Sequence, residues 1–245
     1  MRASFRWGRR NKNISGFTLI EISMVIVIIG IILTGIFTGQ DIVRHAKLQN
    51  VISDFQSYGT AVQSFRLKYN GIPGDINDFS TYFTACANSV ANDCDGNGNR
   101  IIAINDEDYV AWEHLWLAGF IDANMSRVAA YTIGTNMPES AISSVGYWFA
   151  GDSNGALYVT IGSKRGDDVY INGEAFRPDE AKSIDDKIDD GAPQKGIYRT
   201  YRDQERWNTA GICIDKKSDD SDLADAVYIL SDTSVTCYGL YYINK

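Results

Sequence analysis

From Ile22 to Gly39 the chain reads ISMVIVIIGIILTGIFTG, eighteen residues without a single charge. At about 1.5 Å of rise per residue, a helix of that length is just long enough for a hydrocarbon core of about 30 Å. Phe17 to Ile20 extend the apolar run upstream, and Glu21 is its one interruption. Beyond Gln40 the pattern changes. Ile42, Val43, Ala46, Val51, Ile52, Phe55, Tyr58, Val62, Phe65 and Tyr69 recur mostly at steps of three or four with polar residues between them. That periodicity predicts an amphipathic helix continuing the apolar one. Asn70-Gly71-Ile72-Pro73-Gly74 ends it, because glycine and proline together stop a helix.

Further along, Trp112, Leu115, Trp116 and Phe120 fall on one helical face, with Gly119 near its end. An aromatic stripe at this spacing is core material, and His114 lies between those positions with no catalytic company in the sequence. Tyr147-Trp148-Phe149 and 157–161 read as strands joined by the turn Gly151-Asp152-Ser153-Asn154-Gly155. This turn matches G-x-S-x-G, but a hydrolase nucleophile needs a strand followed by a helix, and a β-rich run follows here. The segment 176–193 predicts a short helix: Pro178 suits its first turn, acids favour its start, Ile184 and Ile188 face inward, and Gly191 stops it. Three strands are predicted to close the chain, at 211–214, 226–230 and 235–243. A C-terminal sheet is the natural cover for the apolar face of the long helix.

Charge is divided unevenly. The whole chain carries −8, and Arg2, Arg6, Arg9, Arg10 and Lys12 place +5 in the first sixteen residues, which leaves −13 on the remainder. An acidic body repels phosphate backbones, so nucleic acid is not an expected partner. The basic block is instead the flank that stays on the cytoplasmic side of a membrane. A secretory signal peptide also has a basic start, but its apolar region is shorter and ends at a small-residue cleavage site. The four cysteines, Cys86, Cys94, Cys213 and Cys237, form no CxxC pair and lie near neither histidine in sequence, which favours disulfides in an oxidising compartment over zinc. Three pairings are possible. Cys86 with Cys94 and Cys213 with Cys237 is favoured, since short loops cost least entropy to close.

A simple anchor does not account for Glu21. An acid inside a spanning helix costs about 2.5–3.5 kcal/mol on insertion scales and calls for a partner. With its flanks the segment reads ISGFTLIEISMVIVIIG, and Gly16-Phe17-Thr18-Leu19-Ile20-Glu21 resembles the signature of type IV prepilins and type II secretion pseudopilins. The resemblance implies that a prepilin peptidase, which is also an N-methyltransferase, cuts after Gly16 and methylates the new amine of Phe17. It also implies that Glu21 neutralises the amine of a neighbouring subunit and so sets the stagger between helices. Two departures stand out: Ser15 occupies a position where such proteins often carry Lys or Arg, and Thr38 lies where many have proline. Residues 176–193 also resemble a P-x-E-A-x-x-I-D-x-K-x-D-D-G-x-P motif in the soluble domains of some prepilin-like proteins.

Asp93, Asp95 and Asn97, followed by Gly98, copy the opening of a calcium loop, in which alternate side chains converge on one ion. Ile104 stands where the closing glutamate belongs, with Glu107 nearby; calcium sites in some secretion pseudopilins support the expectation of an ion. The expected fold is α+β and pilin-like: a long N-terminal helix, its first half transmembrane, packed under an antiparallel sheet with irregular insertions. Its expected parts are a cleaved basic leader (1–16), the transmembrane half-helix (17–39), the amphipathic half (40–70) and a globular head (71–245). The resemblance implies a structural subunit and not an enzyme, in the inner membrane with a periplasmic head. Its implied partners are the peptidase, other pilin-like subunits, the inner-membrane assembly platform and lipid. The large, disulfide-bearing head suggests a minor or specialised subunit of a pilus or pseudopilus. A tip or adhesin-like pilin whose head binds a surface or ligand is the alternative.

Overall fold

The computed structural model describes residues 16–84, 86, 94–104, 106–126, 130–152, 154–165, 171–202, 212–215 and 223–243. The chain forms two compact units, Met1–His45 and Ala46–Lys245. Helix α1, Leu19–Tyr69, begins in the first and ends in the second.

In the first unit the apolar side chains of α1 are exposed from Leu19 through Val43 wherever they are described. The helix meets the length and hydropathy of a membrane span. Burial begins at Leu48. The apolar positions Ile42, Val43 and Ala46, expected on the packed face, are therefore exposed. From there Val51, Ile52, Phe55, Val62 and Phe65 are buried, while Tyr58 and Tyr69 pack partly buried against the core.

These residues meet an antiparallel sheet. Strands β1 (Val145–Gly151), β2 (Leu157–Ser163), β3 (Tyr198–Arg202) and β4 (Cys237–Tyr242) are ordered β1-β2-β4-β3. β1 and β2 form the hairpin read from the sequence, with Val145 opposite Ser163 and Gly151 opposite Leu157. Side chains alternate between the faces of a strand. Tyr147, Phe149, Val159, Ile161 and Tyr198 are buried on the inner face. There Phe55 meets the rings of Tyr147 at 5.8 Å, Tyr198 at 5.9 Å and Tyr241 at 5.1 Å. The same ridge is fixed by Tyr147, whose hydroxyl donates to Asp54 at 2.7 Å.

Among the described residues of the head are the short helices α2 (Phe79–Tyr82), α3 (Glu107–Leu117) and α4 (Pro178–Ile188). In α3, Trp112 and Leu115 are fully buried, while Trp116 and Phe120 pack partly buried at the edge of the core. His114, Glu107, Asp108 and Glu113 are buried as well, so α3 is enclosed on nearly every side. α4 starts at Pro178 and buries Ile184, with Ile188 only partly covered. Gly191 has φ +75°, a left-handed turn that glycine enters without penalty.

The closing strands differ from expectation. Within 235–243 lies a strand, β4; Gly211 lies outside the described residues, and the described parts of 211–214 and 226–230 are joined by an antiparallel bridge, Ile214 to Tyr228, with a 3₁₀ turn at Leu223–Asp225 before it. Cys213, Ile214, Ala226 and Tyr228 are buried, whereas Ile212, Val227 and Leu230 are exposed. β4 lies between β2 and β3, and β3, YRTYR, has Tyr198 and Thr200 as its inward residues. A search for apolar runs passes over so polar a strand. Asp189 fixes its start by accepting from the backbone N–H groups of Ile197 and Tyr198.

Candidate functional site

The site predicted by the sequence is the start of α1. Phe17 precedes the helix and is exposed. Glu21 Oε2 accepts from Thr18 N and from Thr18 Oγ1, each at 2.8 Å, and Glu21 N donates back to Thr18 Oγ1 at 3.3 Å. This is a capping box: Thr18 caps the helix and the glutamate three residues on satisfies an otherwise orphaned backbone N–H. The partner role of Thr18 was legible in the T-x-x-E spacing but is easily missed when attention rests on the acid. Both bonds from Thr18 fall on Oε2, so among the described residues Oε1 keeps its acceptor capacity.

The cysteines are joined as Cys86–Cys94 and Cys213–Cys237, with Cα–Cα distances of 5.6 and 5.2 Å. The first bridge anchors a loop that the sequence suggested for calcium. Asp93 lies outside the described residues. Both oxygens of Asp95 accept from Ser80, one from its N–H at 2.7 Å and the other from its hydroxyl at 2.8 Å. Asn97 Oδ1 accepts from Asn99 N at 3.0 Å, a local turn. Glu107 accepts from Asn97 N and Ala103 N, both at 2.8 Å. Asp75 accepts from Asn99 N at 3.0 Å and Arg100 N at 2.7 Å. The loop 94–104 is thus wrapped around carboxylates that serve backbone donors. Burial raises both the Asp75 and Glu107 carboxyls above their ordinary range, and those hydrogen bonds partly offset it. Among the described residues, Asp95 joins no set of three ligand groups close enough to share one ion. In the described part of the loop, Asp95 and Asn97 are thus engaged with Ser80 and Asn99.

Gly96 lies against the backbone of Gly74 and Asp75, where a Cβ would collide. That contact brings the loop down onto His114. Gly74 N donates to His114 Nδ1 at 2.9 Å, and Nε2 faces the carbonyl oxygen of Cys94 at 2.7 Å. The ring stacks on Phe79 at 3.7 Å. An N–H can only donate, so Nδ1 accepts and Nε2 carries the proton it gives to Cys94. Burial pulls the imidazole down to about 4 and keeps it neutral. His114 is thereby committed to structure. The G-x-S-x-G turn runs from one strand of a hairpin into the next, and its Ser153 lies outside the described residues.

At the end of α4, Asp185, Asp189 and Asp190 come together, and each already serves the turn beyond it. Asp185 accepts from Tyr228 OH at 2.7 Å and Gly191 N at 3.1 Å, and Asp190 accepts from Ala192 N at 2.9 Å. Burial pushes the Asp185 carboxyl up to about 6. The resemblance noted over 176–193 thus falls on a segment whose acids shape its own C-terminal turn.

No curated relative and no solved structure matches the chain. Residues 11–37 match the family model described as the prokaryotic N-terminal methylation motif. The match brackets Gly16, Phe17 and Glu21 and ends within the exposed apolar half of α1, and the chain continues into an α+β head of pilin-like class. The match over this N-terminal segment supports a protein of the prepilin and pseudopilin type.

Proposed function

We infer that this chain is a structural subunit of a type IV pilus or type II secretion pseudopilus, in a minor or specialised position. The match over residues 11–37 carries the reading, because it coincides with an exposed apolar helix that starts at Leu19, two residues after Phe17. A prepilin peptidase and N-methyltransferase removes the first sixteen residues in the inner membrane and methylates Phe17, with the head on the periplasmic side. The new amine stays positive after methylation. In lipid it has no water to solvate it, and Glu21 of a neighbouring copy is the acid it meets. Opposite charges in a medium of low dielectric attract far more strongly than in water, so this pairing sets the axial register between subunits. Burial of the apolar half-helices against one another supplies the bulk of the association, and the inner-membrane platform draws the subunits into a filament. The chemistry is one of assembly, and the subunit turns over no substrate.

Two measurements test this. Mass spectrometry of the mature protein is expected to find N-methylated phenylalanine at position 17; an intact leader in the native host refutes processing. Glu21→Ala is expected to leave insertion and leader removal intact while abolishing incorporation into filaments, and filaments of normal yield refute the pairing.

A further inference from the structure

A carboxyl that assembly does not use lies beneath the turn that joins α4 to β3. Asp185 is fully buried. Its Oδ2 accepts from Tyr228 OH at 2.7 Å and its Oδ1 from Gly191 N at 3.1 Å, so one side chain ties α4 to the 226–230 segment and to its own C-terminal turn. Tyr228 OH also meets Thr200 Oγ1 of β3 at 2.8 Å. The turn hangs on the same cluster. Asp189 accepts from the N–H groups of Ile197 and Tyr198, Thr200 N donates to Pro193 O at 2.7 Å, and Gln194 Nε2 donates to Thr200 O at 2.6 Å. β3 ends the sheet order with β4 as its strand neighbour, so these bonds hold its other edge and its entry.

The surroundings of Asp185 oppose its charge. Carboxylate oxygens of Asp185, Asp189 and Asp190 lie within 4.8 Å of one another. The other titratable groups facing it are Tyr228 and, from β3, Tyr198, and burial raises both phenols further above their ordinary value. β4 sends Tyr241 to the core against Phe55, and Tyr238 to the outer face, where it stacks on Tyr201 at 5.8 Å. On α4 itself Lys182 is paired with Asp186 at 2.6 Å, and Glu180 with Arg177 at 3.4 Å. Among the described residues no cation pairs with Asp185. A carboxyl removed from water beside like charges favours its neutral form.

The hydroxyls around it can accommodate the proton. With Asp185 ionised, Tyr228 donates to it, and the Tyr198 hydroxyl, buried beside that of Thr200, has no hydrogen-bond partner among the described residues. With Asp185 protonated the chain can run the other way: Oδ2–H donates to Tyr228, Tyr228 to Thr200, and Thr200 to Tyr198. Protonation then removes a buried charge and gives the orphaned hydroxyl a donor in one step.

We propose that Asp185 is a proton-operated clasp in the head, closed when its carboxyl is neutral and loosened at the α4–β3 turn and the start of β3 when it ionises. Burial raises this carboxyl from an ordinary 3.8 to about 6. The clasp is therefore complete below pH 3.8 and is lost as pH rises through about 6. Those two values make the opening equilibrium about tenfold larger at pH 7 than at pH 5.

The test is hydrogen–deuterium exchange of the full chain in detergent micelles, read by mass spectrometry, with EDTA present so that no metal ion replaces the proton. After correction for the chemical exchange rate, peptides covering 189–200 are expected to lose about tenfold in protection from pH 5 to pH 7, while the β1–β2 hairpin is unchanged. Asp185→Asn, neutral at every pH, is expected to keep its pH 5 protection at pH 7. Tyr228→Phe removes the donor that holds the ionised carboxylate, so it is expected to enlarge the step, and it covers the case in which Asp185→Asn fails to fold. Any of four results overturns the proposal: equal protection of 189–200 at both pH values, an equal loss in Asp185→Asn, a loss shared by the hairpin, or no step in Tyr228→Phe. The clasp lies within the head, so none of these readouts depends on leader cleavage or filament assembly.

Discussion

His114 ties the calcium-like loop to the core, and its removal as a titrating group gives a sharp prediction. The ring is fully buried, held between Gly74 N and Cys94 O and stacked on Phe79. In an unfolded chain it takes a proton near pH 6.5; in the folded head it does so only near about 4. Its neutral form is therefore favoured by folding. The contribution is complete above the unfolded value and is lost as pH falls from there towards the folded value, below which it is flat. The depression corresponds to about 3 kcal/mol of stability. Asp185 works in the opposite direction. Its carboxyl is raised to about 6 by burial, so the head gains from its protonation over much of the same descent. A pH scan of the native protein alone sums the two. The informative quantity is the gap between native protein and His114→Gln, since both contain Asp185 and only one contains the imidazole. Urea unfolding followed by near-ultraviolet circular dichroism at pH 7, 5.5 and 4 should show that gap shrinking by about 3 kcal/mol as the solution is acidified. A gap that stays constant to within about 0.5 kcal/mol would refute the claim that the ring is held neutral by burial.

Three further outcomes follow from the packing. Gly96→Ala forces a Cβ into the backbone of Gly74 and Asp75, so it should destabilise the head by about 1–3 kcal/mol in denaturant titration; an unchanged midpoint would contradict the close approach. Replacing Cys213 and Cys237 by serine opens a bridge spanning 24 residues and should lower stability by about 3 kcal/mol on loop-entropy grounds, measured against the native protein under non-reducing conditions. Calcium titrated into the protein should give no stoichiometric heat, because the described acids of the 94–104 loop serve Ser80 and backbone donors; uptake abolished by Asp95→Asn would show that Asp93 completes a site after all.

Most of what identifies this protein was legible without coordinates, for a physical reason. The apolar run and the N-terminal methylation motif are local: a charge-free stretch, a basic flank, Gly16-Phe17 and an acid one turn further follow one another directly in the chain. The hairpin at 145–163 and the helix at 178–188 were legible on the same grounds, since turn residues and helix ends act within a few positions. The strand partner of β4 was not. Tyr198 and Thr200 become inward residues only because β4 lies beside them and Asp189 pins their entry, and neither condition is written in the local pattern of YRTYR. The loop residues Asp95 and Asn97 show the same divide, since spacing indicated an ion and only the fold showed the hydrogen bonds they accept from Ser80 and Asn99. The burial of the α3 carboxylates Glu107 and Asp108 was not legible, since it depends on Asn97, Ala103, Tyr131 and Trp148 arriving from elsewhere with donors. The sequence by itself therefore determined the apolar run long enough to cross a membrane and the N-terminal methylation motif, because those depend on neighbouring residues. Only the tertiary structure decided which polar groups are satisfied and which aromatic rings share the outer face, because both depend on contacts between segments far apart in the chain.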